Sequence, residues 1–454
     1  MLQGCLVPHP PLIIPGVGDG TEIPATRAAY ERIAAEIAAY DPDTVLMISP
    51  HSIMYADYFH ISPGVHAEGN FQAFRAPEIH LAAAYDTELA AHIAGNAEQD
   101  GLPAGFLGER DPSLDHGVMA PLWFFRSKRI LRISLSGLSF IEHYRFGMCI
   151  RRAIDALGRK AYIVASGDMS HKLGGQYGFA QAGVDHDTYV RESIASSDIL
   201  RLMTIDRSLA ENAAECGLRS IMILCGILDG DRVKSEVLHY EAPYGVGYLS
   251  ATFTAGGNTD SLLPRILAAQ DAHIQAIRAG EDPFVRLARS NVEHFIRTHQ
   301  PIPIPTDLPP DMLAAQAGVF VSIKKNGDLR GCIGTIAPTR THIAAEIIQN
   351  GVSACSQDPR FEPITSDELD DLIYSVDVLF SPEVISDPAQ LDVKKYGVIV
   401  TSGYKRGLLL PNLDGVNTVD EQIRIALSKG GISAHEHYQL ERFAVIRHGG
   451  ESHA

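Results

Sequence analysis

An α/β protein in two parts is the fold this sequence predicts, the first part built around a mostly parallel sheet. Three observations carry the prediction. Short apolar runs alternate with stretches of helical spacing through the first half, the pattern of βαβ units. The composition breaks at Ala255-Gly-Gly-Asn-Thr-Asp, and a different pattern of elements follows. A chain of 454 residues also exceeds what one core organises, so two domains are expected.

The elements follow in order. Residues 2–7 form a short apolar run, and residues 26–40 place Ala29, Ile33 and Ile37 at helical spacing before Asp41-Pro42 ends the helix. Residues 44–49 read as a buried strand, 87–96 as a helix, 130–135 as a strand, 140–157 as a helix and 161–166 as a strand. Residues 218–228 read as a buried helix. Residues 233–240 and 247–254 read as two strands joined by the Ala-Pro-Tyr-Gly turn. We divide the chain into a domain over 1–256, a linker helix over 257–281 and a second domain over 282–454. In the latter, a helix over 284–298 runs into the proline-rich stretch 301–310, which suits neither helix nor central strand. Residues 318–323 and 329–335 are strands joined by Lys-Lys-Asn-Gly-Asp, a hairpin signal. Residues 341–356 are helical and 374–380 extended.

Bulk properties exclude several classes. Hydrophobic residues make up 45% and charged residues 20%, the balance of an ordinary globular protein. A net charge of −17 argues against nucleic acid or an anionic membrane as a partner, because both need a basic face. The N-terminal segment lacks the features of a signal peptide, and no segment is apolar enough to span a membrane. The six cysteines are scattered without a C-x-x-C pair and read as reduced thiols, so we expect a cytoplasmic protein. Homo-oligomerisation is compatible with the sequence.

The chemistry concentrates at strand ends. Three predicted strands each run into a histidine: His9 in Val-Pro-His-Pro-Pro, His51 in Ser-Pro-His-Ser and His171 in Gly-Asp-Met-Ser-His. His116 sits in Asp-His-Gly at a helix start, and Glu241 ends a further apolar run. Strand carboxyl ends share one edge of a parallel sheet, where ligands bind. A lone histidine after a strand is usually structural, but the set is more informative. Proline beside His9 and His51 stiffens the loops that aim them. Two imidazoles and a carboxylate with open positions form the facial arrangement of non-haem iron(II) oxygenases. His239 shares a strand face with Glu241 and rivals it as a ligand. Asp168 either orients a histidine or caps the turn that follows.

These motifs, with Tyr240-Glu241-Ala-Pro-Tyr-Gly-Val-Gly-Tyr, give residues 1–254 a resemblance to the class III extradiol dioxygenase B-subunit superfamily, which includes the Memo proteins. The resemblance implies iron(II) held by His9, His51 and Glu241. It makes His171 the acid/base and His116 a nearby polar contact. It implies a small phenolic or catechol-like substrate and O2. Zinc or another divalent ion also suits such donors. Two other readings stay open: a non-catalytic metal-binding scaffold, as among some Memo relatives, and a metal-dependent hydrolase.

Residues 282–448 resemble the AMMECR domain through Leu-Arg330-Gly-Cys332-Ile-Gly-Thr, Asp-Pro-Arg360-Phe and Gly-Leu-Leu-Leu-Pro. The resemblance implies a two-lobed α/β fold with a cleft and brings no reaction with it. Cys332, Arg330 and Arg360 form its candidate site. A cysteine inside a strand is usually a small buried hydrophobe. Arg330, two residues away, would share its strand face and lower its pKa, but no histidine base is visible at a plausible spacing. The fusion of both domains resembles the AmmeMemoRadiSam system protein A family, which associates such proteins with a radical-SAM enzyme. This chain has no C-x-x-x-C-x-x-C cluster motif of its own.

Overall fold

The computed structural model describes residues 2–18, 21–108, 113–125, 129–413, 416 and 418–449. The chain divides into two compact units, Met1–Ala269 and Gln270–Ala454, and the division falls inside the helix Leu263–Ala279. No helix among the described residues is long and apolar enough to cross a membrane.

The first unit contains strands β1 (Gln3–Val7), β2 (Thr44–Ser49), β3 (Phe59–His60), β4 (His66–Phe71), β5 (Ala76–Ala84), β6 (Ala104–Gly105), β7 (Ile130–Ser134), β8 (Ala161–Ser166), β9 (Asp231–Glu241) and β10 (Tyr248–Asn258). Six of them form one sheet in the order β7-β2-β8-β1-β10-β9. The pairs among β7, β2, β8 and β1 are parallel, whereas β10 pairs antiparallel with both β1 and β9. β9 therefore runs in the same direction as β1, and Glu241 ends at the same sheet edge as His9. Strands β2, β7 and β8 are buried along their whole length, as a sheet covered on both faces requires.

Side chains alternate between two cores, one per face. Leu6, Leu46, Ile48, Ile133 and Ile163 face the helices Thr87–Gln99, Phe140–Leu157 and Leu218–Ile227. Val7, Val45, Met47, Tyr162 and Val164 face the helices Pro24–Tyr40 and His116–Phe124. Two parts of this unit lie outside the periodic sequence signals. One is the antiparallel β4–β5 ribbon; the other is the run of helices Gln181–Ala195, Ile199–Met203 and Arg207–Ala213. β10 continues through the glycine pair to Asn258, which pairs with Asp231 beyond a register shift.

The second unit holds strands β11 (Gly318–Lys325), β12 (Asp328–Gly334), β13 (Leu372–Leu379), β14 (Glu383–Ile385), β15 (Tyr396–Ser402), β16 (Lys405–Leu409) and β17 (Gln439–Gly449). They form an antiparallel sheet in the order β12-β11-β13-β17-β15-β16, with β14 also on β17. The β11–β12 hairpin turns at Asn326 and Gly327, both at positive φ as a tight two-residue turn demands. The helices Pro283–Thr298 and Ile343–Ser356 cover one face over Val319, Val321 and Val376. β15, β16 and the helix Val419–Lys429 close a second small core around Val398, Val400 and Ala426.

Candidate metal centre

The carboxyl ends of β1, β2 and β8 bring three of the sequence-selected residues together. Two residues beyond β1, His9 is buried, and the Tyr30 hydroxyl donates to the carbonyl of Pro8 just before it. Two residues beyond β2, His51 places its Nε2 3.0 Å from Nε2 of His9. Ser166, the last residue of β8, donates from Oγ to the Gly117 carbonyl at 2.6 Å and lies 2.9 Å from His9 Nδ1. With its own proton so engaged, the Ser166 oxygen accepts from Nδ1–H. That fixes the His9 tautomer and leaves the Nε2 lone pair facing His51. His116 packs against both, its ring 4.1 Å from that of His51 and 5.2 Å from that of His9.

The turn after β8 supplies the rest. Asp168 Oδ1 accepts from the His9 amide at 2.9 Å. Its Oδ2 lies 3.8 Å from His9 Nε2 and 3.9 Å from His171 Nε2. The carboxylate thus holds the His9 backbone and lies near both rings without a hydrogen bond to either. Met169 donates its amide to the Gly247 carbonyl and Ser170 donates its amide to Asp187, which pins the turn. His171 Nε2 is buried and, among the described residues, has no hydrogen-bond partner. The Tyr177 ring stacks on the imidazole at 5.5 Å.

Cys216 was missed by the sequence reading, which singled out Cys332 alone among the six cysteines. Its Sγ lies 3.7 Å from His9 Nε2 and accepts from the Asp168 amide at 3.2 Å, while its own amide donates to the Asp168 carbonyl. A pair of glycines makes this approach possible. A Cβ on Gly167 would lie 2.1 Å from the Gly217 Cα, so only bare backbone lets the two turns meet. Donor atoms of His9, His51 and Cys216 all lie within 4.8 Å of one another, as do those of Asp168, His171 and Cys216.

Glu241 stands apart from these two groups. It ends β9, two strands from β1, a lateral offset of roughly 10 Å at sheet spacing. Its Oε1 accepts from both the amide (3.1 Å) and the hydroxyl (2.5 Å) of Thr26 near the start of the helix Pro24–Tyr40. His239 Nε2 lies 3.5 Å from the same oxygen. Glu241 is not among the donors that lie within 4.8 Å of one another beside His9 and His51, whereas the sulfur of Cys216 is.

Electrostatics favour neutral imidazoles. Burial pushes His9 down to about 3, and neighbouring His51 adds to the effect. Burial likewise pushes His116 down to about 3, helped by His51 and His9. The Asp168 carboxyl is raised by burial, opposed by the His9 amide, and His171 is lowered by burial, opposed by Asp168. Neutral imidazole nitrogens with free lone pairs are the form that binds a metal. Two of them converging, with a sulfur and a carboxylate alongside, are a donor set that fits a divalent transition metal.

The candidate site of the second unit is arranged differently from its sequence reading. Arg330 is the bulged residue of β12: Ile323 pairs with Gly331 and Lys324 with Leu329, which leaves Arg330 unpaired. Strand alternation breaks there, so the two-residue spacing no longer sets Arg330 on the Cys332 face. Its guanidinium instead grips Glu368 through two bonds of 3.0 and 2.9 Å. Arg360 does approach Cys332, donating to its carbonyl at 3.0 Å while held by Asp358. The Cys332 sulfur accepts from Ser322 Oγ at 3.2 Å, and burial raises its pKa. That is the state of a packed thiol, not of an activated one.

Comparison with known proteins agrees with this division. Residues 3–254 match the family described as the catalytic LigB subunit of aromatic ring-opening dioxygenase. Residues 285–448 match the AMMECR1 family. The chain belongs to the LigB family, with an AMMECR1 domain following. A Clostridium acetobutylicum protein is 41% identical over 98% of both chains. A Thermotoga maritima protein is 46% identical over 37% of this chain and 98% of its own length. A solved Pyrococcus horikoshii structure has 30% identity over 36% of this chain and 88% of its own, with a TM-score of 0.34.

Proposed function

We propose that the LigB domain is a metal-dependent oxidative enzyme that uses O2 on a small phenolic or catechol-like molecule, with iron(II) as its metal. The observation that carries this reading is the 3.0 Å approach of the His9 and His51 Nε2 atoms with Cys216 alongside. The metal supplies Lewis acidity and a template for the reacting molecules. His9 and His51 hold it through Nε2, and Cys216 provides a third donor. Asp168 holds the His9 backbone through Oδ1 and places Oδ2 3.8 Å from His9 Nε2 and 3.9 Å from His171 Nε2. His171, whose buried Nε2 has no hydrogen-bond partner among the described residues, takes the proton of a substrate hydroxyl and returns it. Tyr177, stacked on His171, shields that transfer from water.

One observation favours a second reading, a metal-binding protein without turnover. The nearby third donor is a sulfur, which departs from the two-imidazole, one-carboxylate set of ring-opening oxygenases. Anaerobic purification with metal analysis, followed by O2 uptake across a catechol panel, separates the two. The enzymatic reading expects about one iron per chain and O2 consumption with at least one catechol. Stoichiometric metal with no uptake across the panel supports the second. His171→Ala should keep the metal and lose roughly 10²–10⁴-fold in turnover. Loss of metal in that variant would make His171 a ligand.

A further inference from the structure

We infer that Asp115, backed by the buried Arg132, is the positioning residue that sets both histidines of the metal centre. The inference rests on the metal-centre reading above and concerns how the donors are held. Asp115 precedes His116 and caps the helix His116–Phe124 by accepting from the Val118 amide at 3.1 Å. The same carboxylate also reaches the β2 end. Its Oδ1 accepts from Ser49 Oγ at 2.6 Å and its Oδ2 from Ser52 Oγ at 2.7 Å. Those serines flank His51, whose own amide donates to Ser49 Oγ at 3.2 Å. The segment that aims His51 is thereby fastened on both sides to one carboxylate.

The connection to His9 runs through the next residues. Gly117, two positions after Asp115, offers the carbonyl that takes the Ser166 proton, and that bond sets the His9 tautomer. Gly117 also packs so closely that an added Cβ would lie 2.4 Å from Ser49 Oγ and 3.4 Å from the His51 ring. A shift of the Asp115 turn therefore moves the His51 segment and the Ser166–His9 bond together. Arg132 lies behind the carboxylate, with 2% of its side chain exposed and Nη1 3.7 Å from Asp115 Oδ2. It is itself fixed by Ser62 at 2.6 Å and by the Ser113 carbonyl at 2.5 Å. A buried guanidinium in the middle of β7 is costly, and this carboxylate helps to offset it. Groups that support metal ligands typically govern affinity by about 10–100-fold when removed.

The test uses the full chain with cobalt(II) and zinc(II) as probes. Asp115→Asn keeps an efficient helix cap but weakens the grip on Ser49, Ser52 and Arg132. We expect a lowered thermal midpoint, because Arg132 loses a counter-charge, together with a zinc affinity lowered about 10–100-fold and a changed cobalt absorption spectrum. The double variant Ser49→Ala, Ser52→Ala cuts the same fastening while leaving Asp115 and Arg132 paired, and should show the same affinity loss at a thermal midpoint close to the parent's. Parent-like affinity and spectrum in a folded variant overturn the inference. So does an affinity loss in the double variant that only tracks a lowered thermal midpoint, because that marks general destabilisation. A parent chain that binds neither ion overturns the metal-centre reading and this one with it.

Discussion

The sulfur of Cys216 reaches His9 across 207 positions of chain. No spacing rule finds such a neighbour, since metal-site spacings describe donors within one loop or helix turn. His9 and His51 were legible because each follows an apolar run and is braced by proline. Glu241 was legible for the same reason, and it does lie at the expected sheet edge. The pattern could not show how far across the sheet β9 lies, because strand order is not written in any single strand. The two candidate third donors separate cleanly by mutation. With Cys216 as ligand, Cys216→Ser should lower metal affinity by at least the roughly 10–100-fold that supporting groups alone cost. Glu241→Gln should leave affinity unchanged, because its carboxylate is engaged by Thr26. Equilibrium competition with a chromophoric chelator measures both. The reverse pattern would restore the two-histidine, one-carboxylate site that the resemblance implied.

At the scale of elements, most of the strands and helices of the first unit follow from periodicity, and the deviations have local causes. The bulge at Arg330 shows this best. Alternation places Arg330 beside Cys332; one extra residue in β12 turns it toward Glu368 instead. A bulge carries no reliable sequence mark when the bulged residue is not glycine. The consequence is a pH dependence. Burial alone would raise the Glu368 carboxyl, but bonds from Arg330, the Thr365 amide and Lys325 outweigh it and hold it down to about 2 from an ordinary 4.5. A depressed carboxylate pKa stabilises the folded state above the unfolded value and loses that contribution as pH falls through the folded one. The stabilisation should be complete above about pH 4.5 and should vanish progressively toward pH 2. Thermal melts of the parent and of Glu368→Gln should therefore differ most above pH 4.5 and converge in acid. A gap that widens on acidification would contradict the assignment.

The whole molecule raises the question of where one folding unit ends. The Gly-Gly-Asn-Thr-Asp stretch reads as a break because glycine and turn residues usually end strands. The structure carries β10 through both glycines to Asn258 and continues the first unit into the helix Leu263–Ala279. Two contacts explain why. Asp229 accepts from the Leu262 amide at 2.8 Å, and Ile266 is 2% exposed within the first unit's core. Periodicity within the helix signals a helix but not which core it serves, so this allegiance was not legible. A fragment of residues 1–256 would lose the end of β10, the Asp229 contact and the burial of Ile266. A fragment of residues 1–269 would keep all three. Burying one isoleucine contributes about 2 kcal/mol, and for a domain of this size each kcal/mol moves the midpoint by roughly 2–4 °C. We therefore expect both fragments to bind metal, with the shorter melting roughly 4–8 °C lower. Equal midpoints by calorimetry would mean that Ile266 contributes nothing to this core. An insoluble longer fragment would mean that the first unit needs the AMMECR1 domain to fold.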